Sequence, residues 1–402
     1  MFTPNYDLLK KYADVLVKFA LRNGKWTNKD EVIFVQIPEC AKPFYLPLQK
    51  AILENWAHGI FEYLPDGVAR HFYENASDQQ IRFYPSHYLQ GKVKQMTHVI
   101  TILAEHDKYE LKWIDGKKIA DRVSSRKKYK ELRIKKENEW KMSWTIALYG
   151  TQAMADDAGL SQEEYREQIR KACFLDYPDP IAQWQKTSNW IKEIRNRLNT
   201  LPIEWVKVQW EDVDLKIKIW LDRKRCGGWW QNIPSFEIYT SPDRRWTQGR
   251  IKFNQPLYIY GSVIKWISLK FEKWIITEFS AQENKELLKE IINISNANKV
   301  GEFSLTDNRL SHITKFMWDV LYDENMGWEY GNTHIAIWSS YVESYRWDKS
   351  KLKKSDLKRL WFNECVEHKD IISTTDRIVT AILSNGEEKI IYKDGQFRFD
   401  IN

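Results

Sequence analysis

Two histidines in the C-terminal half of the chain lie in sequence contexts that suit metal coordination. His368 stands two residues before Asp370 in Val366-Glu-His-Lys-Asp-Ile-Ile, and residues i and i+2 of a strand face the same side of a sheet. This imidazole and this carboxylate could therefore approach one metal ion together. His334 stands at the start of an apolar, strand-like run in Gly331-Asn-Thr-His-Ile-Ala-Ile.

A catalytic metal needs nitrogen and oxygen ligands together with one open coordination position. A pair of metals also needs a bridging carboxylate, because two cations a few ångströms apart repel each other strongly. A His-x-Asp pattern alone does not establish such a site. The other histidines each stand alone, as surface or hydrogen-bonded structural histidines usually do: His58, His71, His87, His98, His106 and His312.

The first half of the chain alternates helical and strand patterns. Residues 5–23 place their apolar side chains on one helical face. Strands are predicted at 31–38, 59–63, 97–104 and 144–150, and helices at 40–56, 66–76, 161–174 and 179–200. Ser161 and Glu164 form a capping-box pattern that starts one of these helices. Strands that alternate with helices indicate βαβ units and a mainly parallel sheet.

After Pro202 the pattern changes to short strands separated by turns. They are predicted at 205–210, 213–220, 249–254, 257–260, 262–272 and 274–280, with a terminal hairpin of 376–383 and 388–392. The sequence therefore predicts an α/β fold with two domains. The N-terminal βαβ domain spans 1–204, and a strand-rich α+β domain that binds metal spans 205–402.

Several spaced motifs occur along the chain. The second half contains, in order, Asn232-Ile-Pro-Ser-Phe-Glu237, Thr240-Ser-Pro-Asp243, Gly301-Glu302, Asn332-Thr-His-Ile-Ala, Tyr341 and His368-Lys-Asp370. The first half contains Val35-Gln-Ile-Pro-Glu-Cys-Ala and Trp144-Thr-Ile-Ala-Leu-Tyr-Gly-Thr. In type and order these motifs resemble the thermophilic aminopeptidase family, which includes aminopeptidase T and aminopeptidase S, and the resemblance covers essentially the whole chain.

The resemblance implies a metalloaminopeptidase that removes N-terminal residues from peptides. It implies that two divalent metal ions (zinc, cobalt or manganese) are bound by Glu237, Glu302, His334, His368 and Asp370. Two such cations would lower the pKa of a bridging water, and Tyr341 would act as a catalytic residue that is not a ligand. Glu302 or Glu237 would carry the proton to the leaving amine. The resemblance also implies a homodimer whose active sites open into an internal chamber.

Three positions depart from the family's pattern. Phe236 and Trp338 stand where the family often has glycine, and Lys369 stands where an aromatic residue is usual. None of the three is a predicted ligand, so the departures bear on substrate fit and not on metal binding.

Two other function classes compete with this interpretation. The first is a catalytically inactive homologue that serves as a binding or scaffold protein, although all five predicted ligands and Tyr341 are present. The second is a nucleic-acid-binding protein, suggested by a net charge of +7 and by basic runs that begin at Ser125 and Lys349. Those runs carry no aromatic interleaving suited to base stacking and are typical of solvated helix faces.

The chain is expected to be cytoplasmic. Its sequence contains no run of eighteen apolar residues, and its N-terminal segment is charged throughout and lacks the features of a signal peptide. The cysteines form no Cys-x-x-Cys pair, which suits a reducing compartment: Cys40, Cys173, Cys226 and Cys365.

The tryptophan content is anomalous. The chain has 20 Trp and only 16 Gly, whereas glycine at its usual share of about 7% would number roughly 28. One hypothesis is that many tryptophans are glycines in the cell, encoded by UGA in a lineage that reads this codon as glycine. It applies to Trp229, Trp230, Trp246, Trp328, Trp338 and Trp347, which lie in turns or beside the site. Trp144 and Trp184 are expected to be genuine, and the alternative is a substrate chamber rich in tryptophan.

Overall fold

The computed structural model describes residues 5–22, 29–228, 231–259, 262–365 and 368–399. The chain forms two compact units, one of Met1–Gln185 with Trp230–Pro234 and one of Lys186–Trp229 with Ser235–Asn402. Residues 186–204 thus group with the second unit, and the predicted boundary at residue 204 stays a prediction. None of the helices within the described ranges has the length and apolar character needed to cross a bilayer.

The strands, in chain order, are β1 Val32–Pro38, β2 His58–Leu64, β3 His98–Leu103, β4 Ser143–Leu148, β5 Ile203–Trp210, β6 Val213–Lys218, β7 Cys226–Gly227, β8 Asn232–Ile233, β9 Glu237–Thr240, β10 Thr247–Lys252, β11 Leu257–Ile259, β12 Ser262–Ile264, β13 Ser268–Glu272, β14 Ile275–Ser280, β15 Val300–Thr306, β16 Asn332–Trp338, β17 His368–Ser373, β18 Ile378–Leu383, β19 Glu388–Lys393 and β20 Gln396–Phe397.

The α-helices are α1 Tyr6–Asp14, α2 Tyr45–Glu54, α3 Val68–Asn75, α4 Asp78–Arg82, α5 Ser86–Gln95, α6 Gly116–Ser125, α7 Lys127–Asn138, α8 Gln152–Asp157, α9 Gln162–Ala172, α10 Pro180–Thr200, α11 Lys285–Ile292, α12 Val320–Asp323 and α13 Lys354–Arg359. A π-helix spans Val15–Phe19, and 3₁₀ turns span Ala20–Arg22, Glu39–Phe44, Val342–Ser344 and Lys349–Lys351.

A parallel sheet forms the centre of the first unit, as the alternation of strands and helices predicts. Its strand order is β2-β1-β3-β4-β8, and each neighbouring pair is parallel. The apolar, β-branched runs of β1 and β3 are buried because helices cover a parallel sheet on its faces. One core cluster joins Phe34, Val93, Met96, Val99 and Met142. The predicted capping box is also present: Ser161 Oγ accepts from the Glu164 amide, and Glu164 accepts from the Ser161 amide.

Two predicted elements are wrong in their extent. The single amphipathic helix over 5–23 is α-helical only to Asp14, and residue 23 lies outside the described residues. Consecutive Val15, Leu16 and Val17 are all buried there, which one face of a regular helix cannot achieve. The single strand over 262–272 is divided into β12 and β13, because Trp266 between them has a φ of 52° and leaves the extended conformation.

The second unit is built mainly from antiparallel sheets, in agreement with the predicted strand-rich domain. Its largest sheet has the order β14-β13-β10-β6-β5-β18-β19-β20, and it includes the predicted terminal hairpin β18–β19. A second sheet has the order β17-β16-β15-β9-β7, and β11 pairs with β12 in a separate ribbon. All five predicted metal ligands lie on four neighbouring strands of the five-stranded sheet.

An ion pair between a buried arginine and a partly exposed aspartate ties this sheet to the largest one. The side chain of Arg377, just before β18, is fully buried and donates to Asp212 Oδ1 at 2.6 Å and Oδ2 at 3.2 Å. The same guanidinium donates to Ser373 Oγ, at the end of β17, at 2.6 Å. Asp212 lies in the turn between β5 and β6, so the pair fixes the connection that follows the strand of His368 and Asp370.

We expect Asp212→Ala to lower the free energy of unfolding by about 3 kcal/mol, because it leaves the buried guanidinium of Arg377 without its counter-ion. Chemical denaturation followed by circular dichroism would measure the loss. Asp214→Ala is the matched control, since Asp214 is an exposed aspartate of the next strand, and its effect should stay within about 0.5 kcal/mol. Equal effects of the two substitutions would show that the Arg377 pair does not stabilise the fold.

Candidate metal centre

The register of the antiparallel sheet β17-β16-β15-β9-β7 places the predicted ligands on one face. Residues directly opposite each other in a sheet share a face, as do residues i and i+2 of one strand. Asp370 pairs with Ala336, and Ala336 pairs with Glu302 on its other side. His334 shares this face because it lies two residues before Ala336. His368 shares it because it lies two residues before Asp370.

Glu237 completes the set from the neighbouring strand. It pairs with Thr306, which lies four residues after Glu302 on β15 and therefore on the same face. The middle of this face is occupied by Ala336, whose small side chain leaves the space between Glu302 and Asp370 to the polar groups. All five side chains that the sequence singled out therefore converge.

His334 forms the centre of one group. Its side chain is almost fully buried, and its Nε2 lies 3.2 Å from Glu237 Oε2, 3.4 Å from Glu302 Oε1 and 3.9 Å from Asp370 Oδ1. One ligand atom each from Glu237, Glu302 and His334 lie within 4.8 Å of one another. That spacing allows three atoms to contact a single cation.

His368 forms a second group with the same glutamate. Its Nε2 lies 3.2 Å from Asp370 Oδ1 and 3.9 Å from Glu302 Oε2. Ligand atoms of Glu302, His368 and Asp370 also lie within 4.8 Å of one another. Glu302 thus belongs to both groups, with Oε1 directed to His334 and Oε2 to His368.

Both imidazoles are oriented through the nitrogen that faces away from the carboxylates. His368 Nδ1 lies 2.9 Å from the carbonyl oxygen of Ser339, and His334 Nδ1 lies 3.3 Å from Asn332 Oδ1. Ser304 Oγ donates to Glu237 Oε2 at 2.7 Å. Such outer contacts fix which nitrogen of a histidine is directed at a metal and raise its basicity.

The electrostatics of the cluster show an excess of negative charge. Burial raises the pKa of Glu302 to about 7. Burial alone would lower the pKa of His368, but the neighbouring Asp370 and Glu302 raise it to about 9. The pKa of His334 is likewise raised well above its usual value by hydrogen bonds with Glu237 and Glu302, against the effect of burial. These shifts favour the protonated forms, which are a neutral carboxyl at Glu302 and positively charged imidazoles at His334 and His368.

Glu324 is a further acidic residue of this cluster that the sequence analysis missed. It is buried just after the short helix α12, and burial together with the charges of Glu237 and Asp370 raises its pKa well above the usual range. No spacing pattern relates it to His334 ten residues later. The available signal was a charged Asp323-Glu324 pair directly after the apolar residues Val320, Leu321 and Tyr322.

Tyr341 lies beside the second group. Its ring centroid is 4.5 Å from that of His368 and 5.9 Å from that of Tyr239. Partial burial and the carboxylates of Glu302 and Asp370 raise the pKa of its hydroxyl, so the phenol stays protonated at neutral pH. Its backbone amide donates to Ser241 Oγ at 2.8 Å, which anchors the chain here.

The donor set fits divalent cations. It combines two imidazole nitrogens with carboxylate oxygens, the ligand types that catalytic zinc, cobalt and manganese sites use. Glu302 Oε2 is buried and has no hydrogen-bond partner among the described residues. A buried carboxylate oxygen without a donor is costly unless a cation contacts it.

Comparison with known proteins gives one consistent result. A model of the thermophilic metalloprotease family (M29) matches residues 5–397. The chain is 24% identical to aminopeptidase AmpS of Bacillus subtilis, over 98% of this chain and 100% of that protein. It is 22% identical to aminopeptidase T of Thermus thermophilus, over 97% of this chain and 99% of that protein. The solved structure of wild-type AmpT from Thermus thermophilus has a TM-score of 0.84 at 20% identity, covering 98% of this chain and 99% of that one, so the two share a fold.

We expect Glu302→Gln to remove most bound divalent metal, because the substitution removes the one carboxylate that contacts both groups. Metal content per chain, measured by mass spectrometry of the purified protein, tests this. Glu283→Gln is the matched control, since Glu283 is an exposed glutamate paired with Lys265, and it should keep the full metal content. A Glu302→Gln protein with unchanged metal content would contradict the shared role of Glu302.

Proposed function

Because this chain belongs to the thermophilic metalloprotease family (M29), we propose that it is an aminopeptidase that uses two divalent metal ions to remove N-terminal residues from peptides. The observation that carries the proposal is the pair of three-ligand groups that share Glu302. Two groups joined by one carboxylate are the arrangement that a two-metal hydrolase requires.

In this proposal Glu237, Glu302 and His334 would hold one ion, and Glu302, His368 and Asp370 would hold the other, with zinc, cobalt or manganese as the metal. When bound, the ions supply Lewis acidity and make water a nucleophile at neutral pH. The outer contacts of Ser304 and Asn332 keep Glu237 and His334 aimed at the first position. The carbonyl of Ser339 does the same for His368 at the second.

Tyr341 stabilises the transition state by hydrogen bonding. Its raised pKa keeps the hydroxyl proton in place, so the phenol can donate to the oxyanion that forms from the scissile carbonyl. The 4.5 Å separation of its ring from His368 places it beside the second group without making it a ligand. Glu237 would carry the proton to the leaving amine, because both oxygens of Glu302 would be held by the two ions.

The acidity of the cluster supports specificity for free N-termini. A peptide's α-ammonium group is attracted to the carboxylates of Glu237 and Asp370, whereas a blocked N-terminus offers no positive charge. The names of the relatives, aminopeptidase AmpS and aminopeptidase T, agree with this specificity.

The alternative is an inactive homologue that only binds peptides. The chain retains Glu237, Glu302, His334, His368, Asp370 and Tyr341, and the first five converge on one face of a sheet. We further propose a cytoplasmic homodimer, by analogy with the family. Light scattering during size-exclusion chromatography would test the assembly, and a monomeric mass would refute it.

We expect purified protein to hydrolyse aminoacyl chromogenic amides and not the same amides with an acetylated amino group. Chelation should abolish turnover, and zinc, cobalt or manganese should restore it, because the cluster supplies ligands for all three. Initial rates measured across a panel of aminoacyl groups test this and define the preferred N-terminal residue.

Two results would contradict the proposal. Full turnover after exhaustive chelation would remove the metal from the mechanism, and equal rates for free and acetylated amides would remove the aminopeptidase specificity. Absence of turnover on the whole panel, with two metals bound, would favour the inactive homologue.

We expect Tyr341→Phe to keep both the metal and the fold while kcat falls by roughly a hundredfold, the effect of losing one donor to an oxyanion. Metal content, thermal unfolding and steady-state kinetics test the three parts separately. Tyr345→Phe, four residues further on, is the matched control and should leave kcat unchanged. An unchanged kcat in the Tyr341 variant would assign this tyrosine a packing role only.

A further inference from the structure

Tryptophan has an abnormal backbone conformation in this chain. Seven of the 17 described tryptophans have a left-handed φ, between 52° and 94°: Trp56, Trp140, Trp266, Trp274, Trp318, Trp338 and Trp361. Among all described tyrosines and phenylalanines only Phe174 has one. Left-handed φ values are uncommon outside glycine, asparagine and aspartate, and for a bulky residue they are outliers. The anomaly therefore belongs to tryptophan and not to aromatic residues in general.

Three of these tryptophans end helices in a position that normally belongs to glycine. In a Schellman motif the residue after the C-cap is left-handed, and its amide and the next one bond back to the last turn. Trp56 follows α2 in this way. Its backbone amide donates a hydrogen bond to the Leu53 carbonyl, and the Ala57 amide donates one to the Ile52 carbonyl. Trp140 after α7 and Trp361 after α13 repeat both bonds.

Two other helices of the chain show which residues occupy the left-handed position of the Schellman motif. After α8 the left-handed position is Gly159, and the same two hydrogen bonds are present. After α9 it is Phe174, which is buried and packs edge-on against Trp184 with ring centroids 4.7 Å apart. Packing thus accounts for Phe174. Trp56 and Trp140 are 73% and 70% exposed. Their side chains therefore gain no burial that could compensate for the strained backbone.

A hairpin gives a second internal comparison. The β19–β20 loop consists of Asp394 and Gly395, both with positive φ, which is a preferred pair for such a two-residue turn. The β13–β14 loop has the same length and the same signs of φ, yet it consists of Lys273 and Trp274. Glycine is the residue that the second position of this turn favours.

Trp338 shows the same conflict inside the candidate metal centre. It ends β16 opposite His368 with a φ of 94°, and it is fully buried. Its indole N–H has no hydrogen-bond partner within the part of the chain that the structure describes. Its backbone cannot relax easily. The Trp338 carbonyl accepts from Asn363 Nδ2, and a Cβ at Gly301 would lie only 2.6 Å from that carbonyl oxygen.

Other tryptophans use their side chains in an ordinary way. The indole N–H of fully buried Trp184 donates to the Cys173 carbonyl at 3.1 Å, and that of Trp144 donates to Glu137 at 2.8 Å. Neither has a positive φ. Trp246, Trp328 and Trp347 are exposed without a left-handed φ, and Trp229 and Trp230 lie outside the described residues, so these five carry no part of the inference.

We propose that the working protein has glycine at positions 56, 140, 266, 274, 318, 338 and 361, encoded by UGA in a lineage that reads this codon as glycine. The seven positions occur at helix ends, in turns and at a strand end in both units, which a tryptophan-lined substrate chamber does not explain. Returning them to glycine also moves the glycine content from 16 towards the roughly 28 expected for this length.

At position 338 glycine is a positioning residue for the metal centre, a part of the inference that rests on the proposed function. The left-handed turn at 338 directs the following carbonyl, that of Ser339, to His368 Nδ1 at 2.9 Å. This contact holds Nε2 of His368 towards Asp370 and Glu302. A bulky residue that pulls φ towards negative values would turn the carbonyl away and loosen His368.

The direct test is peptide mapping by mass spectrometry of the protein purified from the organism that carries the gene, together with the codons at these positions. The proposal expects glycine masses and UGA codons at the seven positions, and tryptophan with UGG at Trp144 and Trp184. Tryptophan masses at the seven positions would overturn it. This measurement depends on neither folding nor activity, so its failure is distinct from failure of the proposed function.

A recombinant comparison tests the physical cause. The variant with all seven tryptophans changed to glycine should have an unfolding midpoint higher than that of the tryptophan chain by on the order of 10 °C. A soluble glycine variant beside an aggregated tryptophan chain would support the proposal equally. Trp184→Gly is the matched control and should lower the midpoint, because it leaves a cavity. A seven-glycine variant no more stable than the tryptophan chain would contradict the inference.

Position 338 is tested in the background of the other six glycines. Trp338→Gly should raise metal affinity by about 10- to 100-fold, the range that outer contacts of a metal ligand control. Trp338→Ala removes the bulk but still resists the left-handed φ, so it should restore less. Equal metal affinity in the Gly and Ala variants would show that only side-chain bulk matters, and would overturn the positioning role.

Discussion

Repulsion between buried carboxylates is the constraint on which the catalytic half of this protein depends. Glu237, Glu302, Glu324 and Asp370 share one region with His334 and His368, and four of these six residues are buried. Two like charges 4 Å apart repel by about 4 kcal/mol at an effective dielectric constant of 20. Burial, together with the neighbouring carboxylates, raises the pKa values of Glu302 and Glu324. Attraction to those carboxylates raises the pKa values of His334 and His368, so bound protons offset part of the repulsion. A divalent cation between the carboxylates removes it more completely than protons do.

The sheet makes this concentration of charge possible. Hydrogen bonds between β17, β16, β15 and β9 fix the register, so that Glu302 and Asp370 flank Ala336 without depending on flexible loops. The Arg377–Asp212 pair then fixes the chain that leaves β17. Ser304, Asn332 and Ser339 supply the outer contacts that aim the ligands. Stability and catalysis thus use the same backbone, and strain at position 338 bears on both.

Local patterns predicted much of the fold. The apolar, β-branched runs of β1, β3 and β4 identified a parallel sheet, and the Ser161 capping box identified the start of α9. Local patterns failed where tertiary context decides. Glu324 joins the cluster through the path of the chain and not through spacing. The strand over 262–272 was continuous in hydrophobicity, but a left-handed residue at 266 divides it. Local sequence context alone singled out His334, His368 and Asp370 as candidate ligands. Glu237 and Glu302 were added only by the order of the family's motifs.

The most direct test of the central claim is anomalous diffraction from crystals of the zinc-loaded protein, with data collected on both sides of the zinc absorption edge. The account predicts two zinc peaks about 3.5–4 Å apart, the usual spacing of a two-metal site, with one carboxylate oxygen of Glu302 bound to each. His334 and His368 should contact different ions through Nε2. A single peak, or two peaks that Glu302 does not join, would contradict the account.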